Sequence, residues 1–581
     1  MSPFEKPYGK NICKNRVFPI ITLLGCVPIF QDIIAANPLL GCFFILLPII
    51  IAFYLLAGRR WSADKTGIVA FVVGIVIAIL CFGTNPLLAI LASIGGIIAS
   101  FPISLMVVTS ILMITYMVRS GSLARITVFF KTLGSGNKPM QIMLINVGLG
   151  LFLVGLGATP VSMLPPVMLA MGYSPLVAVA LPAIGYDPLT TYALLGIPAL
   201  VFADTVGLVD PTYWSTHYPG AEPFYMSGHI FSIFMPVVAT GIALAMLWIA
   251  GGRKLLFNRE ALALAILAGI TAGGVCILCN LPWVGFTPLT NVFAGLAVIG
   301  VMLAYAKLRG LPLIDRSMLT EEDQPIIQSM SLIRALSPWI ILIIFCFATN
   351  LIPIVYDLLF RQLTFPIIIG RIQIRTRVFW NAYFWVLIAT LLAIPFLPHS
   401  RPILKDTFKT WAHRTWRPFV SAAIFFALAF IIIYSGSILA TDGSWILPSD
   451  PTHPHPEWNM VYVLAHVTSG TFGPLYPITA AFLGLLGGFV SGSETSSITM
   501  FQPYHQLTSE LIGANPLVVG ASSGIGGGLA SVLSPAKLQN AAAVIDQQGI
   551  EGRVLRYAVP IALTVTIAVA FLAFFWAFLI P

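Results

Sequence analysis

The sequence predicts an all-α integral-membrane protein of about 12–14 transmembrane or re-entrant segments, arranged as two inverted repeats with broken helices or hairpins. Three observations predict it. Of 581 residues, 58% are apolar and only 9% charged, against roughly a quarter charged in a soluble domain. Apolar runs near the length of a helical bilayer crossing, about 20 residues, recur from end to end. Finally, two Gly/Ser/Thr-rich stretches far apart in the chain share one residue pattern.

The clear apolar runs, some only cores of longer spans, are 39–56, 67–82, 105–118, 230–250, 261–279, 292–304, 333–347, 379–397, 419–434 and 559–580. Ahead of them, Lys6, Lys10, Lys14 and Arg16 precede an apolar run over 17–30, superficially a secretory signal. No small-x-small cleavage site precedes Gln31 and Asp32, so a short first crossing or an interfacial helix is expected. The longest polar interruption carries Glu321, Glu322 and Asp323. The chain therefore divides into an N-terminal basic segment, 1–37, a first membrane repeat, 38–306, a polar linker, 307–333, and a second membrane repeat, 334–581.

The formal charge of +9 is spread over loops between apolar runs, which excludes a nucleic-acid module and reads as topology. Arg59, Arg60 and Lys65, and then Arg119, Arg125, Lys131 and Lys138, mark cytoplasmic loops. The stretch 442–457 has acids and histidines without Lys or Arg and belongs outside. Charge alone does not place Arg361, Arg371, Arg375 and Arg377, because another basic loop, 401–417, lies one crossing further on. The seven cysteines fall mostly in apolar runs. Cys276 and Cys279 form a lone CxxC, short of the roughly four ligands of a zinc site, so packing is expected, with no metal and no cofactor. His453 and His455 read as loop residues, and no His-Glu-x-x-His is present.

In the first half, GLFLVGLGATP (150–160) is followed by MGYSPLVAV (171–179); in the second, GGFVSGSETSS (487–497) is followed by IGANPLVVG (512–520). Phe152 and Gly155 match Phe489 and Gly492, and each pair leads to a Gly-x-x-Pro-Leu-Val. Downstream lie AIGYDPLTTYALLGIP (183–198) and ASSGIGGGLASVLSP (521–535). Small residues also allow ordinary tight helix packing. Their doubling argues instead for broken helices lining a polar cavity, as in secondary transporters.

Broken helices present free N–H groups and the positive end of a helix dipole, a site for a small anion. The expected substrate-binding set is Gly155, Gly157, Thr159, Ser491, Gly492, Ser493, Thr495, Ser496, Ser522 and Ser523, with Ser162, Ser497 and Thr499 adding hydroxyls. Each hydroxyl has a competing role in capping its own backbone. Glu494 is an acid at membrane depth, a functional candidate by default, and desolvation would raise its pKa so that a proton could ride with the anion. Alternatively, it is a strut paired with Lys537, the ion-pair candidate. Asp187 holds the corresponding place in the first half, where Asp before Pro is also an ordinary turn. Asp204 and Asp210 read as interfacial, and His466 as a hydrogen-bonded helix-end histidine.

These motifs resemble the lactate permease family, from about Pro38 onward. The strongest matches are GLFLVG with MGYSPLVAVALP and GIPAL, then FLGLLGGFVSGSETSS, then SPAKLQNAAAVIDQQGIEGRVLRY, where Ser534, Pro535, Gly549, Glu551 and Arg556 fall on the pattern. The resemblance implies a secondary transporter, not an enzyme, importing a lactate- or glycolate-like 2-hydroxy acid with protons across the cell membrane. The departures are Val154 in place of a glutamate in a motif about two residues shorter, Tyr186 and Asp187 in place of Asn-Thr, and Ser531 in place of a lysine, with Lys537 six residues later. A carboxylate relocated to Asp187 is the corresponding expectation. More loosely, the hydroxyl-rich hairpins resemble the ion-transporter superfamily of dicarboxylate and citrate carriers, which implies an elevator-type architecture, commonly a homodimer. Other readings are a Na⁺-coupled carrier of another organic anion, an anion channel with a Gly-rich filter, and, remotely, an intramembrane aspartyl protease, whose Gly-x-Gly-Asp is missing.

Overall fold

The computed structural model describes residues 34–579 except 35, 134–136, 158–159, 186–187, 441–442, 449, 451, 532 and 548. The expected N-terminal helix over 17–30 lies outside the described residues. Among those described, 11 stretches are long and apolar enough to cross a membrane, or 12 if Ser337–Leu351 and Pro353–Gln362, bent by 88°, form one broken span. That is at the low edge of the 12–14 expected; four further apolar helices, such as Pro86–Ala99 and Pro175–Ile184, are shorter than a crossing.

Helices α1 (Pro38–Phe53), α2 (Ala63–Phe82), α3 (Pro86–Ala99) and α4 (Phe101–Arg119) open the chain. Asn37 and Asn85 cap α1 and α3 by accepting from Leu40 N and Leu87 N, each ahead of a proline whose missing N–H costs nothing there. The first broken region is α5 (Gly150–Gly155), α6 (Pro160–Ala170), α7 (Pro175–Ile184) and α8 (Ala193–Val209), followed by α9 (Met235–Leu256), α10 (Arg259–Cys279) and α11 (Thr290–Leu308). The second half continues with α12 (Ser337–Leu351), α13 (Ala382–Ala393), α14 (Arg401–Ile433) and α15 (Met460–Phe472). Its broken region is α16 (Tyr476–Ser491), α17 (Glu494–Ile512), α18 (Pro516–Ser531) and α19 (Pro535–Val544), before α20 (Glu551–Leu579).

The helices pack as two bundles. In one, the 33-residue α14 lies along α2, α3 and α4, with α13 on α4 and α12 on α13. In the other, α16 and α17 pack on α18, α9 on α10, and α20 on α16, α18 and α9. Both bundles draw on both halves of the chain. They meet chiefly where α17 touches α8, α14 and α15.

Two short antiparallel hairpins depart from an all-helical chain: β1 (Phe365–Ile369) with β2 (Ile372–Thr376), and β3 (Ile438–Leu439) with β4 (Trp445–Ile446). Arg371 of the first hairpin pairs with Asp450, whereas Arg119 pairs with Asp406 near the opposite end of α14, at 2.8 Å. The hairpin thus shares its end of the molecule with the 442–457 stretch, which charge placed outside. Three of the four arginines in this segment are accompanied by acids: Arg361 by Glu222 and Asp357, Arg371 by Asp450, Arg377 by Asp204. That pairing explains why counting Lys and Arg alone could not place the segment. At the other end, Lys131 holds the linker through Asp323 at 2.7 Å.

Candidate substrate and coupling site

The repeated Gly-x-x-Pro-Leu-Val proves to be a helix-to-helix turn. Gly172 (φ +83°) ends α6 and Gly513 (φ +69°) ends α17 in the left-handed conformation that glycine adopts without penalty. The residues before the prolines then cap the next helices: Ser174 accepts from Val177 N, and Asn515 from Leu517 N and Val518 N. Each turn therefore carries its helix stop and the next helix's cap in its local sequence, and the second is also tied to α20 through Asn515 N donating to Ala577 O.

The breaks themselves face one another. In the second half Gly492 has φ +70°, and a Cβ added there would lie 2.8 Å from Ser534 Oγ, in the break between α18 and α19. In the first half the left-handed glycine is Gly157 (φ +85°), two residues beyond Gly155, which closes α5 and packs on Asn291 and Val292. Gly157 approaches Leu194, where the backbone runs left-handed through Leu194 (φ 57°), Leu195 (φ 63°) and Gly196 (φ 77°). Two leucines in that region store roughly 1–3 kcal/mol each.

The two halves join at Glu494. Its side chain lies at the start of α17, 3% exposed, and its Oε1 accepts a 2.5 Å hydrogen bond from Thr191 Oγ1, in the first-half break. Its Oε2 receives no hydrogen bond among the described residues, and Lys537 acts on the carboxyl electrostatically. Gly528 of α18 faces both this carboxyl and Thr190. Further along α17, Gln502 is buried with no partner for its amide among the described residues, and His505 bridges Tyr476 Oη (2.6 Å) and Ser523 Oγ (2.7 Å). The polar side chains of this helix are buried within the protein, where intramembrane polar residues are functional candidates.

The predicted hydroxyls divide. Ser491 donates to Gly487 O and Ser493 O, Ser497 to Gly484 O, Thr499 to Thr495 O and Ser522 to Val519 O, while Ser493 caps α17 by accepting from Ser496 N. All but the Ser497 bond are the local backbone bonds of the competing reading; Ser497 instead ties α17 to α16. Ser496 Oγ is buried without a partner among the described residues, Ser523 serves His505, and Thr495 is buried beside Glu494 in sequence. Thr159 and Asp187 lie outside the described residues. Val154, where a family acid was expected, is fully buried. His466 bonds Tyr462 O within its own helix, and Cys276 and Cys279 are buried thiols.

A cavity of about 1280 Å³ opens beside this junction, between α8, α17, α14 and the β1–β2 hairpin. Of the predicted substrate-site residues, Thr499 lines it, with Pro503 and Leu507 of the same helix; Thr499 lies about 7–8 Å along the helix axis from Glu494. On its wall Asp204 and Arg377 pair through two hydrogen bonds, 3.0 and 3.4 Å. Sequence reasoning singled out neither Thr191 nor this pair. The TT of 190–191, hydroxyls inside a broken apolar segment, was the available signal for the first; the second had none, because its partners are 173 residues apart.

A family model described as L-lactate permease matches residues 42–580. The chain is 23% identical to the glycolate permease GlcA of Escherichia coli (strain K12) over 88% of this chain and 91% of that protein. It is 22% identical to the L-lactate permease of Bacillus subtilis (strain 168), over 93% and 96%. Among solved structures, the YdaH transporter of Alcanivorax borkumensis aligns over 83% of this chain and 87% of its own, at 13% identity and a TM-score of 0.42.

Proposed function

The chain belongs to the L-lactate permease family, a multi-pass membrane protein, and on that premise we propose that it imports a small monocarboxylate, a lactate- or glycolate-like 2-hydroxy acid, in symport with protons across the cell membrane. Glu494 carries the coupling. A carboxyl buried at the meeting of both halves, with Thr191 on one oxygen and no donor from the described residues on the other, is costly to keep ionised. It is suited to take a proton as the anion binds and to release it on the far side, so that the transported unit is neutral. Around it, the N-terminus of α17 and Ser496 Oγ supply donors for the substrate carboxylate. We further read the two breaks as inverted repeats, with the α2–α4 and α12–α14 bundle as scaffold and the other bundle moving against it. The two-bundle packing supports this division of labour.

The test is reconstitution. Purified protein in liposomes should accumulate labelled lactate or glycolate under an inward proton gradient, and a sodium gradient alone should drive none. Glu494→Gln, fixed in the neutral shape, should lose gradient-driven accumulation yet keep exchange of labelled for unlabelled substrate. Accumulation by Glu494→Gln equal to that of the parent protein would sink the coupling role. Absence of exchange stimulation in the parent protein would favour a channel.

A further inference from the structure

We propose that Arg377 is a substrate-binding residue of a second, outer site: an incoming monocarboxylate takes the place of Asp204 on its guanidinium before passing inward. The proposal rests on the transport reading above and adds a site to it. Its basis is the asymmetry of one ion pair. The Arg377 side chain is only 9% exposed, whereas that of Asp204 is 44% exposed. Arg377 is also fixed from below, its guanidinium lying 4.7 Å over the Phe360 ring, which in turn packs against Trp380 and Phe224. Its Nε is buried with no acceptor among the described residues. The cation is therefore held still with a donor to spare, while its acid is free to turn toward water.

A guanidinium presents its donors as a planar fork that matches a carboxylate. Asp204 already occupies that fork through Oδ2 at 3.0 Å and Oδ1 at 3.4 Å, so it marks the geometry that a substrate carboxylate would adopt. Both residues line the 1280 Å³ cavity at the hairpin end of the molecule. The same cavity continues past Phe426 and Thr205 to Thr499 of α17, the helix that begins at Glu494. An anion released from Arg377 thus stands beside the helix that carries the deep site. One cation balanced by one displaced acid also sets the charge class. A monoanion neutralises the guanidinium and leaves the displaced, water-facing Asp204 as one uncompensated charge, whereas a dianion would add a second negative charge beside it. No covalent step is involved; the exchange swaps one carboxylate for another.

Initial uptake rates of labelled lactate or glycolate in cells expressing the full chain test this, with surface expression measured for each variant. Arg377→Gln should raise KM by about tenfold or more, the usual cost of losing a charged hydrogen-bond partner, with a much smaller change in maximal rate. Asp204→Asn, which weakens the competitor while keeping its shape, should lower KM by about threefold and let a dicarboxylate such as succinate compete. A purely structural ion pair predicts the opposite for Asp204→Asn, because the buried cation would be left unbalanced. If Arg377→Gln reaches the membrane with an unaltered KM, or if Asp204→Asn leaves KM unchanged or raises it, the proposal is overturned while monocarboxylate transport stands. A parent protein that takes up no monocarboxylate overturns the transport reading first, and this site with it.

Discussion

Thr191 and Glu494 lie 303 residues apart and meet at 2.5 Å. Replacing Thr191 by Val keeps its shape and removes the hydroxyl, leaving both carboxyl oxygens without the donors seen among the described residues. The expected result is a loss of about 1–3 kcal/mol of stability, the cost of an unsatisfied buried polar group, read as a lower melting temperature in detergent, with Thr191→Ser close to the parent. Equal melting of the Val variant would show that the bond contributes little. Glu494 itself was legible in the sequence, since an acid in a hydroxyl-rich break of an apolar region has few bland explanations. Thr191 was not, because one threonine in such a break looks like any other until the opposite half is folded onto it. Leu194 and Leu195 were illegible for another reason. Nothing in a leucine announces a left-handed backbone, and only the neighbouring Gly196 hints at it.

At the scale of elements, α16 and α18 touch backbone to backbone. A Cβ on Gly484 would overlap Ser523 O, and one on Gly488 would overlap Gly527 O, so the small-residue packing considered for these stretches does operate here, alongside the breaks. Gly488→Val should prevent this approach and cost upwards of about 3 kcal/mol, as backbone shifts in packed interiors do. The measurement is the yield of monodisperse protein by size-exclusion chromatography, and a parent-like yield and melting point would refute the contact. The repeat itself was visible in the sequence but was not read there as a turn, although Gly, cap and Pro act within four residues. The β1–β2 hairpin was masked by its arginines, whose partners Glu222, Asp204 and Asp450 come from elsewhere in the chain.

Across the whole molecule, the linker is held by the Leu133–Ile314 bridge, by Asp315 N donating to Thr132 O, by Arg125 Nε donating to Met330 O, and by the Lys131–Asp323 ion pair. Asp323 is partly desolvated, which alone would raise its pKa, but the Lys131 ammonium and two hydrogen bonds from Thr320 outweigh that and hold it below its ordinary value. A carboxyl depressed in the folded state stabilises above its unfolded pKa and loses that contribution as pH falls through the folded value. The melting temperature of Asp323→Asn should therefore lie a few degrees below the parent at neutral pH, and the gap should close below about pH 4. A gap that is constant with pH would mean the tie is not electrostatic.

Because each bundle takes helices from both halves, the order of synthesis matters. The ribosome delivers α5 to α8 before α17 and α18 exist, so the first break enters the bilayer with its polar backbone and Thr191 waiting for a partner still unmade. The cost of that wait ends only when the second half is inserted and Glu494 arrives. A chain truncated in the linker would leave Thr191 without the Glu494 carboxyl it meets in the complete fold.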